Sequence, residues 1–233
     1  MRGATARSPQ VATAYGLTAV AGCVDAIAYT RISGVFPANQ SGNLILLGLV
    51  TGGAPGTPVG RTAAAIAAFA LGVMAAARSS GRLGRGRDPG LLAAELALLA
   101  LAALLVGALP VDGAPSTVDG ARGIAALVVL GLAMGVQTEV IGRVVGVGVS
   151  TTFETGALTR LAEQLGRPGA TDTRVVLVLA LGVATYVAGA AAGASIAAHW
   201  SLPLMVPVAA LALLVAVHAL RSRRTQPASA DPD

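Results

Sequence analysis

The sequence predicts an all-α integral membrane protein with about six transmembrane helices plus two re-entrant half-helices, arranged as two inverted-topology repeats. Three observations predict it. The chain has 233 residues, 55% of them hydrophobic and only 12% charged, with a mean hydropathy of +0.74; that is too apolar for a soluble domain of this size. Its apolar runs are long and do not alternate, which argues for helices and against a β-barrel. A polar patch carrying Pro and Gly, Phe36-Pro37-Ala38-Asn39-Gln40-Ser41-Gly42-Asn43-Leu44, returns as Thr151-Thr152-Phe153-Glu154-Thr155-Gly156-Ala157-Leu158, so that Ser41-Gly42 lies over Thr155-Gly156 and Leu44 over Leu158 without a gap. Polar, helix-interrupting segments at matching positions of two halves point to the binding site of a membrane transporter.

The apolar content is mainly Ala, Leu, Val and Gly, with aromatics at 3%, and such small side chains let helix backbones approach closely. The net charge of +5 comes from Arg with no Lys, placed in a few loops and both tails. That pattern sets membrane orientation and does not predict nucleic-acid binding. The single cysteine, Cys23, excludes an internal disulfide and a Cys-rich metal site. His199 and His218 stand alone at helix ends, poor candidates for metal ligands. No metal or other cofactor is expected, and no paired His, Ser-His-acid set or acidic cluster suggests catalysis.

In chain order, residues 1–10 carry Arg2 and Arg7 and form a cytoplasmic tail; 11–110 form the first membrane repeat, 121–220 the second, and 221–233 a disordered cytoplasmic tail. The spans fall at 11–30, 62–77, 91–109, 124–144, 175–198 and 202–220. Val20-Ala21-Gly22-Cys23 looks like a lipoprotein cleavage box, yet cleavage would remove a helix that the second half reproduces. Residues 44–50 are too short to cross before the Gly/Pro-rich 51–60. The densest positive loop runs from Arg78 to Arg87 and should be cytoplasmic, whereas the loop with Asp112, Asp119 and Arg122 has no positive excess and belongs outside. With both termini and the Arg78 loop on one side, an even number of crossings must separate the amino end from that loop, so the first patch cannot span. Each half then makes three crossings, and an odd number inverts the repeats. Gly131-xxx-Gly135 and Gly189-xxx-Gly193 offer small faces for close packing, and Ala70-Leu71-Gly72-Val73 echoes Ala180-Leu181-Gly182-Val183.

A half-helix beginning inside the bilayer leaves its first N–H groups without helical partners. Thr151-x-x-Glu154 has the spacing of a capping box, and Asn39 or Ser41 could cap the first patch. The same positive helix ends suit an anion or a carboxylate substrate, and caps and site are compatible. Asp25 lies in the first span, and Gln137 and Glu139 in the fourth. An acid inside an apolar helix marks function by default; the structural alternatives are that Asp25 plugs the exposed N–H groups of a half-helix and that Glu139 lies near the surface beside Arg143. Glu95, in the second turn of the third span, is placed to snorkel toward the basic loop.

Gly22-Cys-Val-Asp25-Ala26, Phe36 with Asn39-Gln-Ser-Gly-Asn43, and Gly135-Val-Gln137 with Thr151-Thr152-x-x-Thr155-Gly156-x-Leu158-Thr159 resemble the YoaK family of uncharacterised bacterial membrane proteins. The resemblance covers nearly the whole chain. It implies a bacterial inner-membrane protein of about six spans and implies no known activity. This chain has Ser41-Gly42-Asn43 where that family shows Thr-Gly-Asn, and Thr138-Glu139 where it shows Asn-Ala.

The reading is therefore a small-solute permease or secondary transporter, proton-coupled with an anionic substrate, whose substrate-binding residues are Asp25, Asn39, Ser41, Gly42, Asn43, Gln137, Thr152, Thr155 and Gly156. Asp25 would be the coupling residue, since an anion would compete with its carboxylate for the same N–H groups. The expected partners are the lipid bilayer and a small solute, with no nucleic acid and with homo-oligomerisation left open. A membrane-embedded enzyme acting on a lipid or hydrophobic metabolite is the alternative, and a non-catalytic membrane partner the third.

Overall fold

A computed structural model describes residues 8–54, 59–83, 88–110, 118, 120–145, 154–166 and 171–224. The described residues form helices: α1 (Ser8–Ile27), which passes directly into a π-helical segment (Ala28–Ser33), α2 (Gln40–Thr51), α3 (Val59–Leu83), α4 (Asp88–Val106), α5 (Gly120–Val145), α6 (Glu154–Leu165), α7 (Thr173–His199) and α8 (Met205–Arg224). Stretches Val11–Ser33, Val59–Ser79, Pro89–Val106, Gly120–Gly142 and Thr173–His199 are long and apolar enough to cross a membrane, and Gln40–Thr51 and Met205–Leu220 are shorter apolar helices. The sixth expected span begins at Met205 rather than near 202, because Pro203 disfavours helical backbone in the residue before it.

Two parallel helix pairs carry the core. α1 packs along α7, and α3 along α5. Both crossings are built on glycine. A Cβ on Gly189 or Gly193 would fall 2.2 Å from the Ala19 carbonyl oxygen or 2.4 Å from that of Cys23, and one on Gly135 would fall 2.3 Å from the Phe69 carbonyl oxygen. No side chain fits there, so the Gly-xxx-Gly spacings allow the backbone contact that drives helix association in lipid. The order of contacts also gives the direction: Ala19 meets Gly189 and Cys23 meets Gly193, just as Ala65 meets Gly131 and Phe69 meets Gly135. Against this frame α4 packs on α5 and α8, α8 on α1, α2 on α3 and α6 on α7.

Arginines fix which helix ends lie together. Arg31, buried in the π-helical segment, donates from Nη1 to the Ala197 carbonyl near the end of α7 and from Nη2 to the Pro110 carbonyl just after α4. The Leu109 N–H donates to the Ser201 carbonyl at 2.7 Å. The ends of α1, α4 and α7 therefore share one end of the bundle. α3 has 25 residues and α4 has 19, about 37 and 28 Å of helix, so each crosses once. Two crossings return the chain to the Arg31 end, which leaves α2 starting and finishing at that end. The same parity between the ends of α4 and α7 makes α6 start and finish at the opposite end. α8 runs back from Ser201 until Leu214 packs on Gly16, near the start of α1. Among the described helices, six run from one end of the bundle to the other and two do not.

This parity predicts a labelling pattern. In a Cys23→Ala background, an impermeant thiol reagent should treat Thr51→Cys and Ser201→Cys alike, both exposed at the Arg31 end, and treat Thr171→Cys, exposed at the start of α7, in the opposite way. Opposite accessibility of Thr51→Cys and Ser201→Cys in intact cells would contradict the arrangement.

Candidate functional site

The helix begun at Ser8 is broken between Ser33 and Gln40. Hydrogen bonding shifts to the wider π spacing at Ala28, and the segment ends at Gly34 with φ 68°, a left-handed conformation that favours glycine. Irregular backbone follows through Asn39, much of it buried: Val35, Pro37 and Ala38 are inside the bundle. In lipid such backbone persists only when protein groups satisfy it.

Asp25 supplies the main anchor. Its carboxylate is buried and accepts from the Ala38 N–H at 2.7 Å, the Asn39 N–H at 3.0 Å and the Tyr186 hydroxyl of α7 at 2.6 Å. Counting back from Arg31, six residues place it about 9 Å inside the Arg31 end. It thus ties three elements together: α1, the loop entering α2, and α7. Asn39 is the N-cap of α2, its Oδ1 accepting from the Gly42 N–H at 3.1 Å and from Ser41 Oγ at 2.8 Å. Asn43 is fully buried and closes the loop on itself: its Oδ1 accepts from the Phe36 N–H at 3.0 Å, and its Nδ2 donates to the Phe36 carbonyl at 2.6 Å and to Gln40 Oε1 at 3.0 Å. Phe36 stacks on Tyr29 with ring centroids 4.6 Å apart and covers Gly42, where a Cβ would sit 3.0 Å from its ring.

Gln137, buried on α5, donates from Nε2 to the Leu17 carbonyl of α1 and so joins the two parallel pairs. The second patch is placed differently. Thr155 and Gly156 stand exposed near the start of α6, which packs chiefly on α7. Thr151 and Thr152 lie outside the described residues, as does the Glu154 side chain, and with them the expected capping box. The structure therefore gathers Asp25, Asn39, Ser41, Gly42 and Asn43 into one loop and sets Gln137 on the α1–α5 contact.

Two buried or partly buried polar residues gave weak signals in the sequence. Tyr186 sits mid-helix in an apolar span with nothing to mark it except the rarity of tyrosine, of which the chain has three. Glu95, expected at the interface, is instead fully buried in the face that α4 turns to the bundle. The three residues that follow it before Leu99 continue an apolar helix whose buried stripe passes through position 95. Among the described residues no group of three or more His, Cys, Asp or Glu could hold a metal ion.

Together the spans, the absence of strands among the described residues and the buried polar loop define a multi-pass α-helical membrane protein. The family described as Protein of unknown function (DUF1275) matches residues 13–218, and the chain belongs to it. A relative, the UPF0700 transmembrane protein YoaK of Bacillus subtilis (strain 168), is 30% identical over 149 residues, a match that spans 64% of this chain and 64% of the relative. No solved structure matches.

The anchoring role of Asp25 can be measured as stability in detergent or bicelles. Tyr186→Phe removes one hydrogen bond to a charged acceptor and should cost about 1.5–3 kcal/mol. Asp25→Ala should cost more, since each of the two orphaned N–H groups adds about 1–3 kcal/mol. An Asp25→Ala protein as stable as the parent would show that the loop is held by other groups.

Proposed function

We propose that this protein is a small-solute permease or secondary transporter of the bacterial inner membrane, with both termini cytoplasmic, that moves a small anion or carboxylate together with a proton. The observation that carries the reading is the donor set around Asp25: two backbone N–H groups at the start of a half-helix and one phenolic O–H, all converging on a carboxylate inside the bundle. Donors in that arrangement suit any small anion. While Asp25 is ionised it occupies them. Once protonated, its carboxyl competes less well, and the three donors become available to a solute anion, which would arrive with its proton. Asn39, Ser41, Gly42 and Asn43 shape the loop that presents two of the donors; Gln137, Thr152, Thr155 and Gly156 complete the proposed solute path from the second half.

The pairing of helices supports two inverted repeats. Exchanging α1 with α5, α2 with α6, α3 with α7 and α4 with α8 turns the α1–α7 pair into α5–α3, the α2–α3 contact into α6–α7 and the α1–α8 contact into α5–α4, all of which occur. Three crossings per half, with α2 and α6 dipping from opposite ends, give the inverted relation that transporters use to alternate access. The end of α3, which carries Arg78 and Arg82, and the end of α8, which carries Arg221, Arg223 and Arg224, lie opposite Arg31, which supports a cytoplasmic assignment for that end.

The test is flux of small carboxylates and inorganic anions into proteoliposomes, with the internal pH followed at the same time. The parent should acidify the lumen as solute enters. Asp25→Asn, which mimics the protonated acid, should retain solute binding while its flux loses dependence on pH, and Asn43→Ala should lower flux at least about tenfold, the effect of some 1.4 kcal/mol of lost preorganisation. Cation transport that requires the ionised carboxylate, or unchanged pH dependence in Asp25→Asn, would overturn the mechanism.

A further inference from the structure

Glu95 takes no part in the loop around Asp25. On α4, Leu92, Glu95, Leu99, Ala102 and Val106 are buried at spacings of three and four residues and form one stripe, and α5 and α8 pack against this helix. Glu95 has 0% exposure, and both carboxyl oxygens are enclosed without a hydrogen-bond partner. Among the described residues a carboxylate held there meets no counter-charge, and an uncompensated charge in such surroundings costs several kcal/mol.

Among the described side chains the neighbouring helices offer no relief to a charge. On α5, Arg122 is committed to the Leu105 and Val106 carbonyls at the Arg31 end, and Glu139 is partly buried and already engaged. On α8, His218 is likewise engaged. Arg143 and the arginines that close α8 lie outside the described side chains. The polar group that α5 sends into the core is Gln137, whose Oε1 is also buried and unpaired. Arg122 on Leu105 and Val106 sets the antiparallel register of α4 and α5. Counted from there, Glu95 and Gln137 lie about 16 and about 22 Å down their helices, roughly one turn apart. Neither Glu95 oxygen has a donor among the described residues, and a proton on the carboxyl removes the charge that would need one.

We propose that Glu95 is a proton-binding site: its carboxyl holds a proton while α4 is closed on α5 and α8, and yields it to water when that seam opens. The O–H bond breaks, the electron pair stays on the carboxylate, and water takes the proton. A metal cation fits less well, because it needs several oxygen ligands and Leu92 and Leu99 flank Glu95 a turn to either side. The site holds whatever solute the protein moves; only its use in coupling rests on the permease reading.

The experiment is an infrared difference spectrum of the protein in lipid, parent minus Glu95→Gln, titrated from about pH 5 to about pH 10, a range that spans ordinary carboxyl, His and Cys ionisation. The expected result is the C=O band of a neutral carboxylic acid at pH near 7 in the parent, missing from the variant and lost as the pH rises. No such band at neutral pH, or a band unmoved across the whole range, overturns the proposal. Should Glu95→Gln not fold, a hydrophobic carbodiimide, which modifies protonated carboxyls, decides the matter on the parent chain: Glu95 should be labelled about tenfold more than Glu139 and Glu163 near pH 7, where ordinary carboxyls are ionised. Labelling of those two with none at Glu95 overturns it. A titrating band in a protein that moves no solute sinks the permease reading and leaves this inference standing; flux without the band does the reverse.

Discussion

In a bilayer no water completes a broken helix, so each N–H released where a helix stops must find a partner within the chain, at several kcal/mol if it does not. The turn between α1 and α2 meets that constraint with side chains. Asp25 takes the Ala38 and Asn39 N–H groups, Asn43 takes that of Phe36, and Asn39 takes that of Gly42. Because Asp25 also accepts from Tyr186, the satisfaction of the loop and the docking of α7 on α1 are one event. Loss of either partner exposes the other's cost, which is why this small polar cluster governs the geometry of the whole first half.

Around it, two kinds of contact replace the hydrophobic drive that lipid cannot provide. Backbone-to-backbone crossings at Gly189, Gly193 and Gly135 hold the parallel pairs. Arginine guanidinia hold the helix ends: Arg122 donates to the last carbonyls of α4, and Arg31 to the Ala197 carbonyl near the end of α7 and to that of Pro110 beyond α4. Cations there answer both the unpaired carbonyls and the negative end of the helix dipole. Both arginines lie at the end opposite the one proposed to be cytoplasmic, where the positive-inside rule would count them as misplaced. Their charge is used within the fold, so they bear on packing and not on orientation.

The two short helices differ in the surface they present. α2 carries Leu44, Ile45 and Leu49 outward on an apolar surface suited to lipid, whereas α6 exposes Thr155, Thr159, Arg160 and Glu163. A helix of the second kind sits comfortably at the headgroup boundary and one of the first kind does not. The acids divide in the same way. Asp25 in α1 accepts from three donors, and Glu139 in α5 is partly buried and engaged. Glu95, on α4, is buried with neither oxygen partnered among the described residues.

By itself the sequence determined the class, the crossing number and the interrupted position, because those follow from composition, run length and chain polarity: apolar stretches near twenty residues must cross, the twelve residues of α2 cannot, and a Pro/Gly/Asn cluster must break the helix. It also pointed to Asp25 and Asn39, since an acid in a span and an Asn before an apolar run each have a local physical reason to be there. Tertiary structure alone decided which donors meet Asp25, for Tyr186 comes from 161 residues away and no local pattern announces it. It decided too that Glu95 points into the bundle. Seven residues into a helix, a glutamate can reach the surface or turn inward with equal ease, and the choice rests on which face α5 and α8 cover. Periodicity locates a stripe along one helix; only the neighbours that close over it determine what is left without a partner.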